Sequence, residues 1–203
     1  SCKKPIVWTL HDMNPFQGIF HYKNDMLLNH AIAGKLDDFI LNLKHQSIQA
    51  YSGKMHIVAP SVWLTDASSK STIFSKFPHS TIPYSLSLNT FKLYSKIDAR
   101  QELGLPTEGV ILLFVAESLN NYRKGFDLLL NALRILKMEN VTIVALGEKI
   151  ENADLAANII SSGRIKEESL MAKYYAAASA FILPSREDNL PNVMLESFSC
   201  GTP

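Results

Sequence analysis

The fold is decided by the stretch GVILLFVAESLNNYRKGFDLLLNALRILKMENVTIVAL, residues 109–146. It opens with an apolar run that does not alternate with polar residues, continues with leucines at helical spacing, and closes with a second apolar run. Short continuous apolar runs are typical of strands buried on both faces, and a helical pattern between two of them is typical of a parallel crossover. The stretch therefore predicts a βαβ unit and, with it, a parallel sheet.

The same alternation continues along the rest of the chain. Other strand-like runs lie at residues 5–10, 55–60, 80–85 and 179–185, and amphipathic helical patterns lie at residues 61–74, 125–138, 167–179 and 191–201. Strands that alternate with helices at this spacing favour doubly wound parallel sheets. The predicted fold class is therefore α/β, with two Rossmann-like domains on either side of one cleft.

The domain junction is predicted from a segment that lacks a strand-like run. Residues 86–107 contain many polar and turn residues, so we place the junction there, around Tyr84 to Leu105. Residues 1–85 would then be part of a first Rossmann-like domain, and residues 86–107 a linker and the start of the second. Residues 108–203 would be most of that second domain. A chain of 203 residues suits two small or incomplete domains.

Composition narrows the class of ligand. The chain is 47% hydrophobic and 19% charged, with a formal net charge of +1. These values are typical of a globular protein and give no reason to expect a nucleic acid as a partner. The cysteines, Cys2 and Cys200, have neither disulfide-framework nor metal-ligand spacing, which favours a reducing compartment. No apolar run approaches the ~18 residues of a membrane span, so we expect a cytoplasmic chain that binds small neutral or anionic ligands.

Ligands of open parallel sheets bind beyond the carboxyl ends of the strands, which directs attention to the loops there. The first strand-like run ends at His11 and Asp12. An imidazole at this rim can hydrogen-bond a sugar hydroxyl or a developing charge. The alternative for His11 is that it satisfies a buried carbonyl at the strand end. His21, further along the same loop, is a weaker candidate.

A basic pair follows the apolar run at residues 109–116. Arg123 and Lys124 stand directly before Gly125 and a helix predicted to start near Phe126. Cations at a helix N-terminus are disfavoured by the helix dipole, so this pair needs an anionic partner or open solvent. A phosphate would be such a partner, because a guanidinium grips two of its oxygens and an ammonium adds a point charge. The alternative is a solvated pair on a loop.

The last loop leads into a helical pattern. Pro191 suits the first position of a helix, with Asn189 or Leu190 as the cap and Gly201 as the stop. The backbone N–H groups of Leu190 to Val193 would then form an anion site. This loop therefore predicts a second contact for a phosphate.

Two carboxylates flank this turn. Asp188 lies just before it, and Glu196 lies inside the helix on the face of Asn192. Carboxylates accept several hydrogen bonds, so one could hold a sugar and the other a ribose. The alternatives are an ordinary helix-start acid at Asp188 and a solvated helix residue at Glu196.

The loop that follows the apolar run at residues 140–146 and begins with Gly147 carries weaker signals. A glycine at a strand end is usually only a turn, and each of the other signals is weak in isolation. The candidates there are Gly147, Arg164 and Ile165.

Three segments together carry a resemblance to a known family: VWTLHDMNPFQGIFHY, FVAESLNNYRKGFDLLLNAL and FILPSREDNLPNVMLESFSCGTP. They resemble the retaining GT-B glycosyltransferases of sequence family 4, especially bacterial members that assemble polysaccharides. The most specific motif is an acid followed by seven residues and a Glu, which Asp188 and Glu196 match. The resemblance touches nearly the whole chain.

The resemblance implies a role for each candidate residue. Glu196 would hydrogen-bond the ribose of the donor nucleotide, and Asp188 would contact hydroxyls of the transferred sugar. Arg123 and Lys124 would neutralise the diphosphate, and His11 would face the donor sugar. The other donor-binding positions implied are Gly147, Arg164, Ile165, Asn189, Leu190, Pro191 and Asn192.

The resemblance also implies a reaction. A hexose would move from a UDP- or GDP-sugar to an acceptor hydroxyl with retention of configuration, with no metal ion and no cofactor besides the donor substrate. The acceptor would be a glycan or a lipid-linked glycan in cell-surface polysaccharide synthesis. The parent protein would act in the cytoplasm or at the inner face of the membrane, to which it would attach peripherally.

The chain departs from the family at several points. Ala116-Glu117-Ser118 stands where many members have an arginine, and the cysteines that often follow His21 are missing. The resemblance implies further segments on both sides, so we expect a fragment truncated at both ends, with little or no transferase activity of its own. Two alternatives remain: a non-catalytic nucleotide- or glycan-binding module, and another GT-B enzyme such as a sugar-nucleotide epimerase or a phosphorylase.

Overall fold

The computed structural model describes residues 4–136, 140–148 and 159–203. The chain divides into two compact units, Ser1–Tyr84 and Ser85–Pro203. Both units contain parallel sheets, as the dense apolar runs of the sequence predicted. No helix among the described residues is long and apolar enough to cross a membrane.

The first unit is built on a sheet of three parallel strands in the order β1-β2-β3. The strands are β1 (Ile6–Thr9), β2 (Met55–Ala59) and β3 (His79–Thr81), and the helices are α1 (Lys23–Gln49) and α2 (Val62–Ser69). In the central strand, Ile57 pairs with Trp8 on one side and with His79 on the other. The core of the first unit includes the fully buried side chains of Leu10, Ile57, Leu64, Ile73 and Phe74.

Helix α1 is 27 residues long but was not predicted from the sequence. The reason is that α1 is apolar on two sides. Its inner side carries the buried residues Gly34 and Asp37 and packs on the sheet through Leu41 and Ile48. Its outer side carries large apolar side chains that are at least 44% exposed, namely Leu28, Ile32, Leu36, Phe39 and Leu43. Two apolar sides hide the single stripe by which an amphipathic helix is recognised.

The second unit contains a sheet of four parallel strands in the order β6-β5-β4-β7. The strands are β4 (Val110–Ser118), β5 (Val141–Glu148), β6 (Ile159–Gly163) and β7 (Ala180–Phe181). The helices are α3 (Lys96–Glu102), α4 (Phe126–Leu136), α5 (Glu168–Ala177) and α6 (Asn192–Ser199).

The strand order of the second unit predicts where a ligand would bind. The chain runs from β4 outward through β5 to β6, and then returns to place β7 on the other side of β4. The strand order therefore reverses at β4, and the loops that follow β4 and β7 leave the sheet from neighbouring strands. Open parallel sheets bind their ligands at such a reversal, outside the carboxyl ends of the strands.

Both faces of this sheet are buried. Ile111 and Leu113 on β4 face a cluster that contains Tyr175 of α5, whereas Phe114 faces the opposite side. There Phe114 packs against Phe126 of α4, with ring centroids 4.9 Å apart. Since successive strand residues point to opposite faces, a continuous apolar run is what a sheet covered on both faces requires.

Two of these elements were not predicted, and one prediction about a strand end was wrong. Strand β6 was missed because its sequence, IISSG, is half polar and glycine and lies at an edge of the sheet. Helix α3 lies inside the segment 86–107, for which the sequence predicted only the absence of a strand; it is one short helix capped by Ser95. Gly147 lies inside β5 and does not begin a loop. The end of the helix predicted at residues 125–138 falls at 137–138, outside the described residues.

Candidate functional site

The candidate site lies on the two loops that follow β4 and β7. The first loop ends in a short 3-10 turn, Tyr122–Lys124, followed by Gly125 with φ of 74°. A Cβ atom at Gly125 would lie 2.1 Å from the carbonyl oxygen of Pro184 on the second loop. Gly125 therefore satisfies two needs, a left-handed backbone and the close approach of the two loops.

The two cations of the first loop meet one carboxylate of the second. Arg123 Nη1 lies 3.1 Å from Asp188 Oδ1, and Lys124 Nζ lies 2.6 Å from Asp188 Oδ2. The three side chains are between 14% and 25% exposed, so solvent screens them only in part. The sequence indicates that this basic pair needs an anionic partner or open solvent, and in this structure Asp188 is an anionic partner of both cations.

Further hydrogen bonds fix the Asp188 carboxylate. The hydroxyl of Ser185 donates to Oδ2 over 3.3 Å, and the backbone N–H of Asn189 donates to Oδ1 over 3.2 Å. Arg123 also donates to the carbonyl of Glu187 over 3.1 Å. Asp188 is thus a half-buried bridge between two loops, and the interpretation of it as an ordinary helix-start acid is wrong.

Arg186 joins the two loops of the candidate site. It was not among the candidate residues identified from the sequence. Its guanidinium donates two hydrogen bonds to the carboxylate of Asp127, over 2.8 and 2.6 Å, and lies 3.8 Å from the ring centroid of Tyr122. Its backbone N–H donates to the carbonyl of Arg123 over 2.8 Å. The hydrogen bonds from Arg186 lower the pKa of Asp127. Nothing in the local sequence pairs residues that are 59 positions apart.

Helix α6 begins one residue later than its sequence suggested. Pro191, with φ of −69° and ψ of 128°, is the N-cap and not the first helical residue, and no side chain caps the helix. The prediction of Asn189 or Leu190 as the cap is therefore wrong, and the first-turn amides begin at Asn192. The helix ends at Ser199 with Cys200 as the C-cap, and the stop expected at Gly201 is confirmed by its φ of 77° and by the bonds from the amides of Gly201 and Thr202 back to Phe198 and Ser197.

Glu196 is partly buried and paired with a tyrosine. The hydroxyl of Tyr175 on α5 donates to Glu196 Oε2 over 2.8 Å, and Tyr175 itself is fully buried. Burial raises the pKa of Glu196 and the nearby Glu168 raises it further, while the hydrogen bond from Tyr175 opposes them. Burial, together with the charge of Glu196, also raises the pKa of Tyr175. The interpretation of Glu196 as a solvated residue is therefore wrong.

We expect Glu196→Gln to stabilise the folded chain at neutral pH. Because the pKa of Glu196 is raised in the folded state, its favourable contribution is complete below the ordinary glutamate pKa of about 4.3 and is lost as the pH rises through the folded pKa. The neutral amide removes the cost of the buried charge at higher pH. The thermal midpoint of Glu196→Gln should exceed that of the wild type at neutral pH, and the difference should shrink in acid.

Glu108→Gln, at an exposed position, is the matched control and should leave the midpoint unchanged at both pH values. A midpoint for Glu196→Gln at or below the wild-type value at neutral pH would contradict the expectation.

The weaker candidates of the second unit have structural partners. Arg164 Nη2 lies 3.1 Å from Oε1 of Glu117. Glu117 belongs to the segment 116–118, where many members of the resembled family have an arginine. Ile165 packs against the core of the unit. Gly147 has φ of 151°, and a Cβ atom there would lie 2.5 Å from the carbonyl oxygen of Ala116. The glycine is therefore required by the approach of β4 to β5.

His11 lies in the first unit. Its Nδ1 is 2.7 Å from the hydroxyl of Tyr84, and the two rings stack with centroids 5.7 Å apart. Burial and the charge of Asp12 raise the pKa of Tyr84. Asp12 also lies 2.7 Å from Nδ1 of His21 and accepts a hydrogen bond from the amide of Asn14. The hydroxyl of Tyr84 is thus a hydrogen-bond partner of the His11 imidazole.

Helix α1 fixes the loop that carries these histidines. Lys44 donates to three backbone carbonyls of residues 14–18, and Asp37 accepts a hydrogen bond of 2.7 Å from the amide of Ile19. Burial lowers the pKa of Lys44, although Asp37 and Asp12 oppose this effect. These interactions tie an otherwise irregular loop to a rigid helix.

Within the described parts of the chain, no group of three or more His, Cys, Asp or Glu side chains could hold a metal ion. Cys200 is buried, and burial raises the pKa of its thiol to about 11. Such a thiol is a weak nucleophile at neutral pH. Cys2 lies outside the described residues.

Two parallel sheets with covering helices, and cations and acids on loops at the strand reversal, define a GT-B-like α/β protein. The chain is similar to Anabaena HepE solved in complex with UDP and glucose, with 16% identity and a TM-score of 0.66 over 98% of this chain and 52% of that one. It is also similar to sucrose-phosphate synthase from Thermosynechococcus elongatus, with 18% identity and a TM-score of 0.59 over 89% of this chain and 58% of that one. The chain thus spans about half the length of each of these structures.

Sequence comparison points to the same class. Residues 109–203 match the family described as Glycosyl transferases group 1. The chain is 31% identical to a D-inositol 3-phosphate glycosyltransferase of Thermobispora bispora, over 58% of this chain and 32% of that protein. It is 29% identical to a glycogen synthase of Streptococcus uberis, over 53% of this chain and 24% of that protein. The chain therefore spans a third or less of the length of these relatives.

Proposed function

We propose that the second unit binds the donor of a metal-independent, retaining hexosyltransferase of glycosyltransferase family 4 that uses a UDP- or GDP-sugar. The observation that carries the proposal is the convergence of Arg123, Lys124 and Asp188 at the strand reversal of the sheet. The matched family covers all three residues and Glu196. The solved complex of HepE with UDP and glucose supports a nucleotide and a sugar as the ligand class.

The basic pair would stabilise the leaving group. In the transfer, the bond between the anomeric carbon and the diphosphate oxygen breaks and its electrons remain with the diphosphate. The acceptor oxygen bonds to the carbon, and the proton of the acceptor hydroxyl is released. Arg123 and Lys124 would neutralise the charge that develops on the diphosphate, an effect that is large where solvent is partly excluded. Cations fixed on two tied loops require little reorganisation to do so.

The acids would bind the two sugars of the donor. Asp188 would accept hydrogen bonds from hydroxyls of the hexose, and Glu196 would accept them from the ribose. Backbone groups of residues 189–192 would face the hexose and the diphosphate. Three further residues would lie towards the base of the donor nucleotide, namely Gly147, Arg164 and Ile165. Ion pairs with Glu117 and Glu148 would set the position of Arg164.

The first unit would serve the acceptor side. His11, held against Tyr84, would face the donor sugar, and the acceptor would be a glycan or a lipid-linked glycan. A role in bacterial cell-surface polysaccharide synthesis, in the cytoplasm or peripherally at the inner face of the membrane, completes the proposal. The donor is a substrate, and no further cofactor is proposed.

Calorimetric titration of UDP and of GDP into the chain tests the donor site. One nucleotide should bind, and Glu196→Ala should weaken its binding, as should the double variant Arg123→Ala/Lys124→Ala. The outcome that contradicts the proposal is binding of neither nucleotide, or binding that both variants leave unchanged.

Asp188→Asn should increase the affinity for inorganic pyrophosphate about tenfold, because pyrophosphate no longer competes with an internal carboxylate for charge-assisted hydrogen bonds. In the same variant, the affinity for the complete sugar nucleotide should fall relative to the affinity for pyrophosphate. The reason is that the hexose hydroxyls lose the Asp188 carboxylate as a hydrogen-bond acceptor. Pyrophosphate titrations of both proteins measure the first effect. Asp98→Asn, an exposed acid in the first turn of α3, is the control. Equal or weaker pyrophosphate binding by Asp188→Asn would show that Asp188 does not compete at the cation site.

A further inference from the structure

Tyr175 is a buried polar side chain beside the candidate site. It is fully buried, and its ring makes edge contacts with Phe91 and Phe181 at centroid distances of 6.3 and 5.9 Å. A buried tyrosine hydroxyl needs a hydrogen-bond partner, and this one donates to Glu196 over 2.8 Å. Since aromatic packing fixes the ring, the position of the hydroxyl is fixed as well.

The backbone around Tyr175 is joined to the end of α6. Thr202 donates through its hydroxyl to the carbonyl of Tyr175 over 2.7 Å, and Ser197 donates to the carbonyl of Thr202 over 2.8 Å. Ser197 and Thr202 are buried. These bonds prevent α6 from sliding or rotating relative to α5, so Glu196 and Tyr175 keep their relative position.

We propose that Tyr175 is the positioning residue that makes the donor site selective for a ribonucleotide. It holds Oε2 of Glu196 and thereby directs the second carboxylate oxygen, Oε1, towards the ribose hydroxyls. This inference rests on the proposed function, in which Glu196 binds the ribose. Tyr175 itself, being fully buried, acts through Glu196 and does not touch the ligand.

The physical reason for selectivity is the cost of an unpaired acceptor. A partly buried carboxylate whose second oxygen has no donor loses solvation without compensation, whereas a ribose hydroxyl restores a hydrogen bond. Sites built to bind a hydroxyl therefore reject analogues that lack it. A carboxylate free to rotate would recover part of this loss by turning to water, and the Tyr175 hydrogen bond prevents that rotation.

The experiment compares two ligands and two proteins. UDP and 2′,3′-dideoxy-UDP are titrated into the wild type and into Tyr175→Phe, which keeps the ring and removes only the hydroxyl; GDP and its dideoxy form replace them if GDP is the nucleotide that binds. The wild type should prefer the ribose form about tenfold or more. Tyr175→Phe should reduce that preference several-fold, with little change in the affinity for the dideoxy form.

Tyr174→Phe is the matched control, because residue 174 points about 100° away around the same helix. It should retain the wild-type preference. The pH dependence gives a second readout: the hydrogen bond from Tyr175 lowers the pKa of Glu196, so its loss should shift the onset of ribose preference to higher pH.

The outcomes separate the two proposals. If the wild type binds neither nucleotide, the proposed function fails and this inference fails with it. If the wild type binds UDP or GDP but does not prefer the ribose form, the phosphate-binding part of the proposed site stands, whereas the ribose role of Glu196 and this inference are both wrong. Equal weakening of both ligands by Tyr175→Phe would likewise overturn it, because that result indicates a general structural role.

Discussion

Replacing both Arg123 and Lys124 by alanine should reduce the affinity for the nucleoside diphosphate about a hundredfold or more. Each cation would give the diphosphate a charge-assisted hydrogen bond, and two such bonds account for an effect of this size. The variant should bind the parent nucleoside, which lacks phosphates, as the wild type does. Titrations with the nucleoside, the monophosphate and the diphosphate therefore locate the loss at the phosphates.

Two controls make this result specific. Lys96→Ala and Arg134→Ala remove exposed cations of the same unit and should change the affinity only slightly, because solvent screens them. The double variant also leaves the half-buried Asp188 without its cationic partners, so adding Asp188→Asn should recover stability without recovering affinity. Equal losses for the nucleoside and the diphosphate would show that the variant had damaged the fold and not a phosphate site.

Arg100→Met should destabilise the second unit by about 3 kcal/mol or more. Arg100 is 3% exposed and donates to the carbonyls of Ala177, Thr107 and Gly109 and to the hydroxyl of Ser179, over 2.8 to 3.2 Å. It thus joins α3 to the end of α5 and to the start of β4. The methionine side chain would fill the space of the Arg100 side chain but would leave the buried oxygen acceptors without a hydrogen-bond donor.

The measurement is urea unfolding followed by two probes. Both tryptophans, Trp8 and Trp63, lie in the first unit, so their fluorescence serves as an internal reference while circular dichroism reports the whole chain. Arg100→Met should shift the dichroism transition more than the fluorescence transition. Arg100→Lys should not restore stability, because one ammonium cannot reproduce the planar fork of the guanidinium.

Arg134→Met is the matched control, since Arg134 is exposed on α4, and its effect should stay within about 0.5 kcal/mol. If Arg100→Met were as stable as the wild type, the buried acceptors would have found other hydrogen-bond partners. The conclusion that Arg100 stabilises the unit by joining α3 to α5 and β4 would then be wrong.

The strands of the sheet interior could be predicted from the sequence, and several elements at its margins could not. β4 and β5 are buried on both faces, and such strands need uninterrupted apolar runs that are visible in a short window. β6 pairs on one side and tolerates serines, so its composition resembles that of a loop. α1 was missed for the opposite reason, since its second apolar side masks the helical period.

The candidate residues of the second unit could be identified from local patterns, but their partners could not. Arg123 and Lys124 attract attention because two cations precede a helix, and Asp188 and Glu196 because their spacing matches a motif. The Lys124 to Asp188 contact, however, spans 64 positions, and the Tyr175 to Glu196 contact spans 21. A tyrosine in an apolar helix has no local sign that marks its hydroxyl as a hydrogen-bond donor to an acid.

By itself, the sequence determined the α/β alternation, the basic pair and the two acids, because these depend on hydrophobic period and residue type within a few positions of one another. Only the tertiary structure decided which of these groups meet. The reversal of strand order at β4 brings the loops after β4 and β7 together, and Gly125 lets them approach closely enough for Asp188 to join both cations. Burial then changes the pKa of Glu196, an effect that depends on the side chains packed around it and not on its neighbours in the chain.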